Sequence, residues 1–164
     1  MITQERVREL LDYHPDTGLF FWKVKACKNI SVGALAGCIS RRSADYWVIR
    51  ADGYLYQAHR LAWLHTYGDM PKMIDHIDGD GLNNRIANLR SCTPSQNNAN
   101  MKLRSDSTSG HRGVCWAAYT NRWRALIHYE NKQIHIGYFP TKEEAAAAYD
   151  IRAKELFGDF SYAR

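Results

Sequence analysis

Apolar positions along this chain fall into short runs whose spacing changes repeatedly between helical and extended. In TQERVRELLDYH, Val7, Leu10 and Leu11 recur on one helical face, which predicts an N-terminal helix. Pro15 and Gly18 in HPDTG break it, and LFFWKVK follows as a strand rich in aromatic and β-branched residues. DYWVIRADGYLYQAHR predicts two strands joined at Asp52-Gly53, a dipeptide suited to a tight hairpin. HRLAWLHTYG predicts a short helix closed by Gly68. After Pro71, MIDHID predicts a short strand, GDG a turn, and RIANLRSC a returning strand or irregular segment. TPSQ sets Thr93 as N-cap, Pro94 at the first helical position and Gln96 as the partner of a capping box. A helix therefore starts at Pro94, with Asn97 in its first turn.

The pattern then shifts. KLRSDSTSG, from Lys102 to Gly110, is polar and short of apolar residues, which marks a linker over 104–110. Beyond it RGVCWAAY, RWRALIHYE and KQIHIGYF alternate as three strands, with turns at Thr120-Asn121 and Glu130-Asn131. PTKEEAAAAYDIRAKELFG predicts the clearest helix, with Thr141 and Glu144 as a capping box and Gly158 at its end. Short strands and helices in this order predict an α+β chain. The expected divisions are residues 1–103, the linker 104–110, and residues 111–164.

Composition narrows the class. The 164 residues are 45% hydrophobic and 12% aromatic, enough to bury a core. No apolar run approaches the roughly 20 residues that span a bilayer. MITQERVREL has charges where a secretory signal would be apolar, so a protein that stays in the cytoplasm, off the membrane, is expected. Cys27, Cys38, Cys92 and Cys115 form no C-x-x-C pair, and reduced, mostly buried thiols are expected. The net charge of +5 favours acidic partners such as nucleic acid.

The chemistry concentrates in MIDHIDGDGLNNRIANLRSCTPSQNNAN, residues 73–100. Hydrolysis of a phosphodiester needs a base to take a proton from water, and positive charge where the phosphoryl oxygens and leaving oxygen become negative. A histidine suits the first task; a divalent cation suits the second. His76 is the candidate base. Asp75 beside it and Asn97 on the following helix offer oxygen donors, which favour one Mg2+ or Mn2+ ion over zinc. Neighbours on a strand point to opposite faces, so both reach one site only where the strand ends, as the Gly79 and Gly81 turn allows. Asn88 can bond backbone groups of the intervening loop and hold His76; Asn83 and Asn84 can do the same. His59 is a further candidate, for phosphate contact or packing, while His14 and His65 read as ordinary. Asp78 and Asp80 read as turn residues.

Together with HR at 59–60, this stretch resembles the HNH, or ββα-metal, nucleases. It is similar to their phage and intron homing-endonuclease branch in DHIDG…NNR…NL…TPS.N. The resemblance implies a ββα-metal module in which Asp75 is a metal ligand, His76 the general base, Asn88 the loop-fixing asparagine and Asn97 the second ligand. Asn97 stands where the family name has a histidine; Asn98 is the alternative register. The implied activity is a DNA endonuclease of homing type that cuts one strand per site and therefore nicks. The rival is a sequence-specific DNA-binding regulator that uses the same fold as a scaffold without cleavage.

In the last segment, Lys102, Arg104, Arg112, Arg122, Arg124 and Lys132 face only Asp106 and Glu130, whereas the final helix carries Glu143, Glu144, Asp150, Glu155 and Asp159. A basic sheet on an acidic helix suits a phosphate backbone on one side. Alternation puts Trp123, Ala125 and Ile127 on one face and Arg122, Arg124, Leu126 and His128 on the other. RGV, RWRALI, IGYF and T.EEAAAAYD.RA resemble the ethylene-response-factor (APETALA-type) domain of plants. That resemblance implies a three-stranded antiparallel sheet packed on one helix and read against double-stranded DNA. It assigns DNA contact to Arg112, Cys115, Arg124, Leu126, His128, Gln133 and His135, with Trp116 as a neighbour. Cys115, His128, Gln133 and His135 stand where the plant domains carry arginines, so the plant target sequence is not carried over. A monomer is the expected state.

Overall fold

The computed structural model describes residues 2–40, 45–101, 103 and 107–161. The chain forms two compact units, residues 1–92 and 93–164. The division falls ahead of the expected linker; of that linker, residues 104–106 lie outside the described residues, as does Lys102. The charges assigned to Lys102, Arg104 and Asp106 lie outside the described residues.

The first unit opens with helix α1 (Gln4–Leu10), capped where the Thr3 hydroxyl accepts from the Arg6 N–H. The helix ends earlier than its apolar spacing predicts. Leu11–His14 is strand β1, because Leu11 and Tyr13 are buried while Asp12 and His14 are exposed, a period of two. It pairs antiparallel with β2 (Leu19–Trp22). A second sheet joins β3 (Cys38–Ile39), β4 (Trp47–Ala51) and β5 (Tyr54–Gln57). The β4–β5 turn is the expected hairpin: Asp52 and Gly53 both adopt positive φ, 47° and 82°. Helix α2 (Ala58–Tyr67) follows and stops at Gly68. Strands β6 (Ile74–His76) and β7 (Leu89–Ser91) then pair antiparallel around a loop that includes a 3₁₀ turn at Ile86–Asn88. Val7, Leu11, Phe20, Ile49 and Leu61 are the fully buried centre of this unit.

The second unit holds α3 (Pro94–Asn100), β8 (Val114–Ala117), β9 (Arg122–Tyr129), β10 (Lys132–Phe139) and α4 (Lys142–Phe157). The Thr93–Gln96 capping box forms in both directions. The strands form one antiparallel sheet in the order β10-β9-β8. Asn121, Glu130 and Asn131 take positive φ at its two turns. Ala145, Tyr149, Ala153 and Phe157 recur every four residues on α4, are buried, and pack with Ala125, Ile127 and Val114 of the sheet. Gly113 is required here: a Cβ at its φ of 64° would lie 2.3 Å from both the Leu126 carbonyl oxygen and the Tyr149 ring.

Helices and small antiparallel sheets segregated in this way make the chain α+β. The thiols differ from expectation. Cys27 and Cys38 are exposed, in a stretch whose strands are too short to enclose them, and Cys92 and Cys115 are half-buried; all four are free. Among the described residues, no helix is long and apolar enough to cross a membrane.

Candidate functional site

Strand β6 is three residues long and buried throughout, with Asp75 at 7% and His76 at 6% exposure. The chain leaves the strand at once. Ile77 N–H donates to the Asn88 carbonyl, and Gly79 N–H turns back to the His76 carbonyl, at 2.9 Å each. His76 Nε2 lies 3.2 Å from the side-chain oxygen of Asn84, which is itself buried. Asn84 Nδ2 donates to the Leu82 carbonyl, so the amide oxygen is the atom turned to the ring. A carboxamide oxygen only accepts, which puts the ring proton on Nε2 and makes Nδ1 the basic nitrogen of neutral His76.

The loop between β6 and β7 is held by its own side chains. Asn88 Oδ1 accepts from the Asp78 N–H at 3.1 Å, while its Nδ2 donates to Asp78 Oδ1 and to the Asn83 carbonyl. Asp78 also accepts from the Asp80 N–H and from Asn83 Nδ2. Burial alone would push the Asp78 carboxyl up, but the Asp80 N–H, the Asn83 and Asn88 amides and nearby His76 outweigh it and hold the group below its ordinary range. Asp78 is thus the acceptor around which the loop closes.

The N-terminal hairpin braces the same loop. Buried Tyr13 O–H donates to the Asn84 carbonyl at 2.7 Å, and Ile86 N–H donates to the Pro15 carbonyl. Gly18, at φ 75°, sits so close that a Cβ would lie 2.5 Å from Arg85 N and Asn84 C. Asp45 and Tyr46 close in from another side: a Cβ on Gly81 would meet the Asp45 carbonyl oxygen at 2.0 Å.

His59, in the first turn of α2, sets its ring edge-on to His76 with centroids 4.9 Å apart, and Tyr46 lies against both rings. His59 is 5% exposed, and its Nδ1 is buried without a hydrogen-bond partner among the described residues. Burial, then the proximity of His76 and Arg60, push its pKa down to about 3. It stays neutral at physiological pH, which leaves packing or lone-pair donation to it rather than charge contact with a phosphate. Asp75 faces Arg90 across the β6–β7 ladder at 2.8 Å.

Asp75, His76, Asn84 and Asn88 are brought together in the first unit. Asn97 belongs to the second, at the end of the first turn of α3, where it is half-buried; Asn98 beside it is exposed. Among the described residues, no three His, Cys, Asp or Glu side chains gather into a metal-binding group. Asn84, Arg90, Tyr13 and Tyr46 are the contributors that the chain's local pattern did not single out. NNR flagged Asn84 only as one of two equivalent asparagines.

In the second unit, Cys115, Arg124, Leu126, His128, Gln133 and His135 share the sheet face turned away from α4, as the register Cys115↔Arg124, Gln133↔His128 and His135↔Leu126 requires. Arg124 Nη2 donates to Cys115 Sγ at 3.5 Å, and Gln133 Nε2 lies 3.3 Å from His128 Nε2. A bulge between His135 and Gly137 resets the alternation and adds Tyr138, opposite Arg124, to that face. Arg112, expected on that face, and Trp116, expected as its neighbour, take other places. Trp116 pairs with Trp123, ring centroids 5.3 Å apart, on the face that carries Ala125, because strand alternation inverts it relative to Cys115. The Arg112 guanidinium donates to the carbonyls of Asn98 and Ala99, where it satisfies the end of α3.

Comparison with known proteins finds two family matches along the chain, the first of which runs past residue 92 into the second unit. The family model described as HNH endonuclease matches residues 56–99, and the AP2 domain matches residues 109–159. Protein 3.8 of Escherichia phage T7 is 37% identical over 105 residues, which is 63% of this chain and 86% of that protein. An uncharacterized HNH endonuclease of Acanthamoeba polyphaga mimivirus is 34% identical over 125 residues, 70% of this chain but only 64% of its own length. An AP2-like ethylene-responsive transcription factor of Arabidopsis thaliana is 43% identical over 56 residues, or 33% of this chain and 16% of the plant protein. The chain belongs to the HNH endonuclease family and carries an AP2 domain behind its HNH segment.

Proposed function

We propose that this protein is a metal-dependent DNA endonuclease that nicks one strand, with the β6–β7 loop as its cutting site and the β8–β10 sheet as its DNA-reading face. The observation that carries the reading is the His76–Asn84 bond. A proton held on Nε2 by that bond would leave Nδ1 to take a proton from the attacking water. Asn84 keeps the imidazole in that tautomer, and Asn88 and Asp78 keep the loop from relaxing around it. These are positioning roles.

The donor chemistry fits one hard cation. Asp75 is a buried carboxylate that would hold Mg2+ or Mn2+; Asn97, the second ligand that the resemblance implies, carries a carboxamide oxygen of the same hard class. When bound, the ion would neutralise charge developing on the phosphoryl and leaving oxygens. Neutral His59 confines His76 from the side and excludes water from that flank. On the second unit, Arg124 would contact phosphate or a guanine edge, and Gln133, His128 and His135 would hydrogen-bond base edges. Leu126 and Cys115 would give apolar contact in the major groove.

The test uses supercoiled plasmid with the purified protein, in Mg2+, Mn2+ or chelator, beside His76→Ala. Open-circle product that needs the metal and is lost in the variant is expected. Equal nicking by variant and parent would remove His76 from the mechanism. Salt-sensitive DNA binding with no cleavage under any metal would leave the HNH fold as a scaffold for a DNA-binding regulator.

A further inference from the structure

Asp75 and Arg90 stand directly opposite each other in the β6–β7 ladder. Both nitrogens that cross the ladder converge on one carboxylate oxygen: Arg90 Nε donates to Oδ2 at 2.9 Å, and Nη2 lies 2.8 Å from it. The side chains are 15% and 8% exposed, so water and salt screen the pair little. A buried carboxylate needs a compensating charge, and Arg90 supplies one from within the fold. The same carboxylate is the one that the proposed function gives to a divalent cation. Guanidinium and metal ion are then two cations drawn to one acceptor.

We propose that Arg90 is a stand-in cation for Asp75: it neutralises the carboxylate in the metal-free protein and holds divalent affinity down by competing for Oδ2. The inference rests on Asp75 being a metal ligand. Two consequences follow from the geometry. The β6–β7 hairpin is electrostatically complete before any ion arrives, unlike small sites whose folding requires the metal. An incoming ion must also share or displace a guanidinium, so its binding to DNA-free protein is weakened by one full opposing charge.

The probe is Mn2+ alone, titrated into the full-length, DNA-free protein at constant pH. Free Mn2+ is followed by electron paramagnetic resonance and melting temperature is recorded with and without saturating ion. Arg90→Gln is expected to bind Mn2+ about ten-fold or more tightly than the parent, because an adjacent positive charge is removed. Its melting temperature should rise more on Mn2+ addition than the parent's does. Arg90→Lys, which keeps the charge, should stay near the parent, and Asp75→Asn should lose the binding. An arginine that merely held the strands together would lower melting in Arg90→Gln without enlarging the Mn2+-induced rise. Mn2+ affinity in Arg90→Gln equal to or weaker than the parent's, with Asp75→Asn still abolishing binding, overturns the inference and leaves the metal reading intact. Undiminished binding by Asp75→Asn overturns the metal reading and the inference with it. If Arg90→Gln does not fold in chelator, recovery of a melting transition on Mn2+ addition supports the competition, and failure to recover overturns it.

Discussion

The two units treat their polar side chains in opposite ways. In the β6–β7 loop, Asn84, Asn88, Asp78 and His76 bond one another and the local backbone, and Asn84 and His76 are buried. On the β8–β10 sheet, His128, Gln133 and His135 are exposed and carry few bonds within the protein. A group that must hold a proton at a set place is immobilised by its neighbours. A group that must meet a base edge keeps its hydrogen-bonding capacity for the partner. Rigidity on one side and unspent donors on the other are what cutting and reading would each demand.

The comparison breaks most severely at two glycines that serve the units in parallel. Gly18→Ala puts a Cβ 2.5 Å from the backbone of the loop at a φ of 75°, and Gly113→Ala puts one 2.3 Å from the Leu126 carbonyl. Each should cost more than about 2 kcal/mol in urea unfolding. Gly18→Ala should abolish nicking while DNA binding persists, and Gly113→Ala should weaken DNA binding and leave a slower, less site-selective nicking. Loss of both activities from either change would mean that the units do not work separately.

Next in size is acid stability. The His59 ring titrates near 6.5 when unfolded and near 3 when folded. Between those values the unfolded chain holds the extra proton, so acid favours unfolding. The contribution is whole above pH 6.5, falls as pH drops toward 3, and does not fall further below that. Over the full window it amounts to a few kcal/mol at most. His59→Gln should flatten the stability profile between pH 6.5 and 3 in denaturant melts; a parent-like slope would assign the acid loss to other groups.

A smaller effect is expected at Asn84, whose side chain sets the His76 tautomer. Asn84→Ala should lower the nicking rate by roughly 10- to 100-fold, against about 1–2 kcal/mol in stability. Its pH–rate profile should shift, whereas a purely structural loss would leave the profile in place. The smallest effect is on the sheet. Arg124→Ala should weaken DNA binding roughly ten-fold and reduce the salt slope by about one, measured by fluorescence anisotropy. Gln133→Ala should alter base preference with the slope unchanged. Equal slopes for parent and Arg124→Ala would take Arg124 off the phosphate backbone.

Much of this was legible in the letters because its causes are local. The capping box at Thr93, the Asp52-Gly53 turn, the four-residue stripe of α4 and the alternation of β9 are each decided by neighbours within a turn or a strand. So was the pairing of a histidine with an aspartate at the end of a short strand. The early stop of α1 at Leu10 was less legible. The spacing in RELLDYH satisfies a helix until a partner strand, β2, is available to bury Leu11 and Tyr13.

Tertiary structure alone decided the contacts that make the site particular. Tyr13 reaches Asn84 across 71 positions and Arg90 reaches Asp75 across 15, separations over which no spacing rule operates. Which of two adjacent asparagines holds His76, that His59 is buried and neutral, and that Trp116 turns toward Trp123 all depended on which backbones came together. Residue types and short-range periodicity state what chemistry is available; burial and register, which exist only once distant segments pack, state which atoms are left to perform it.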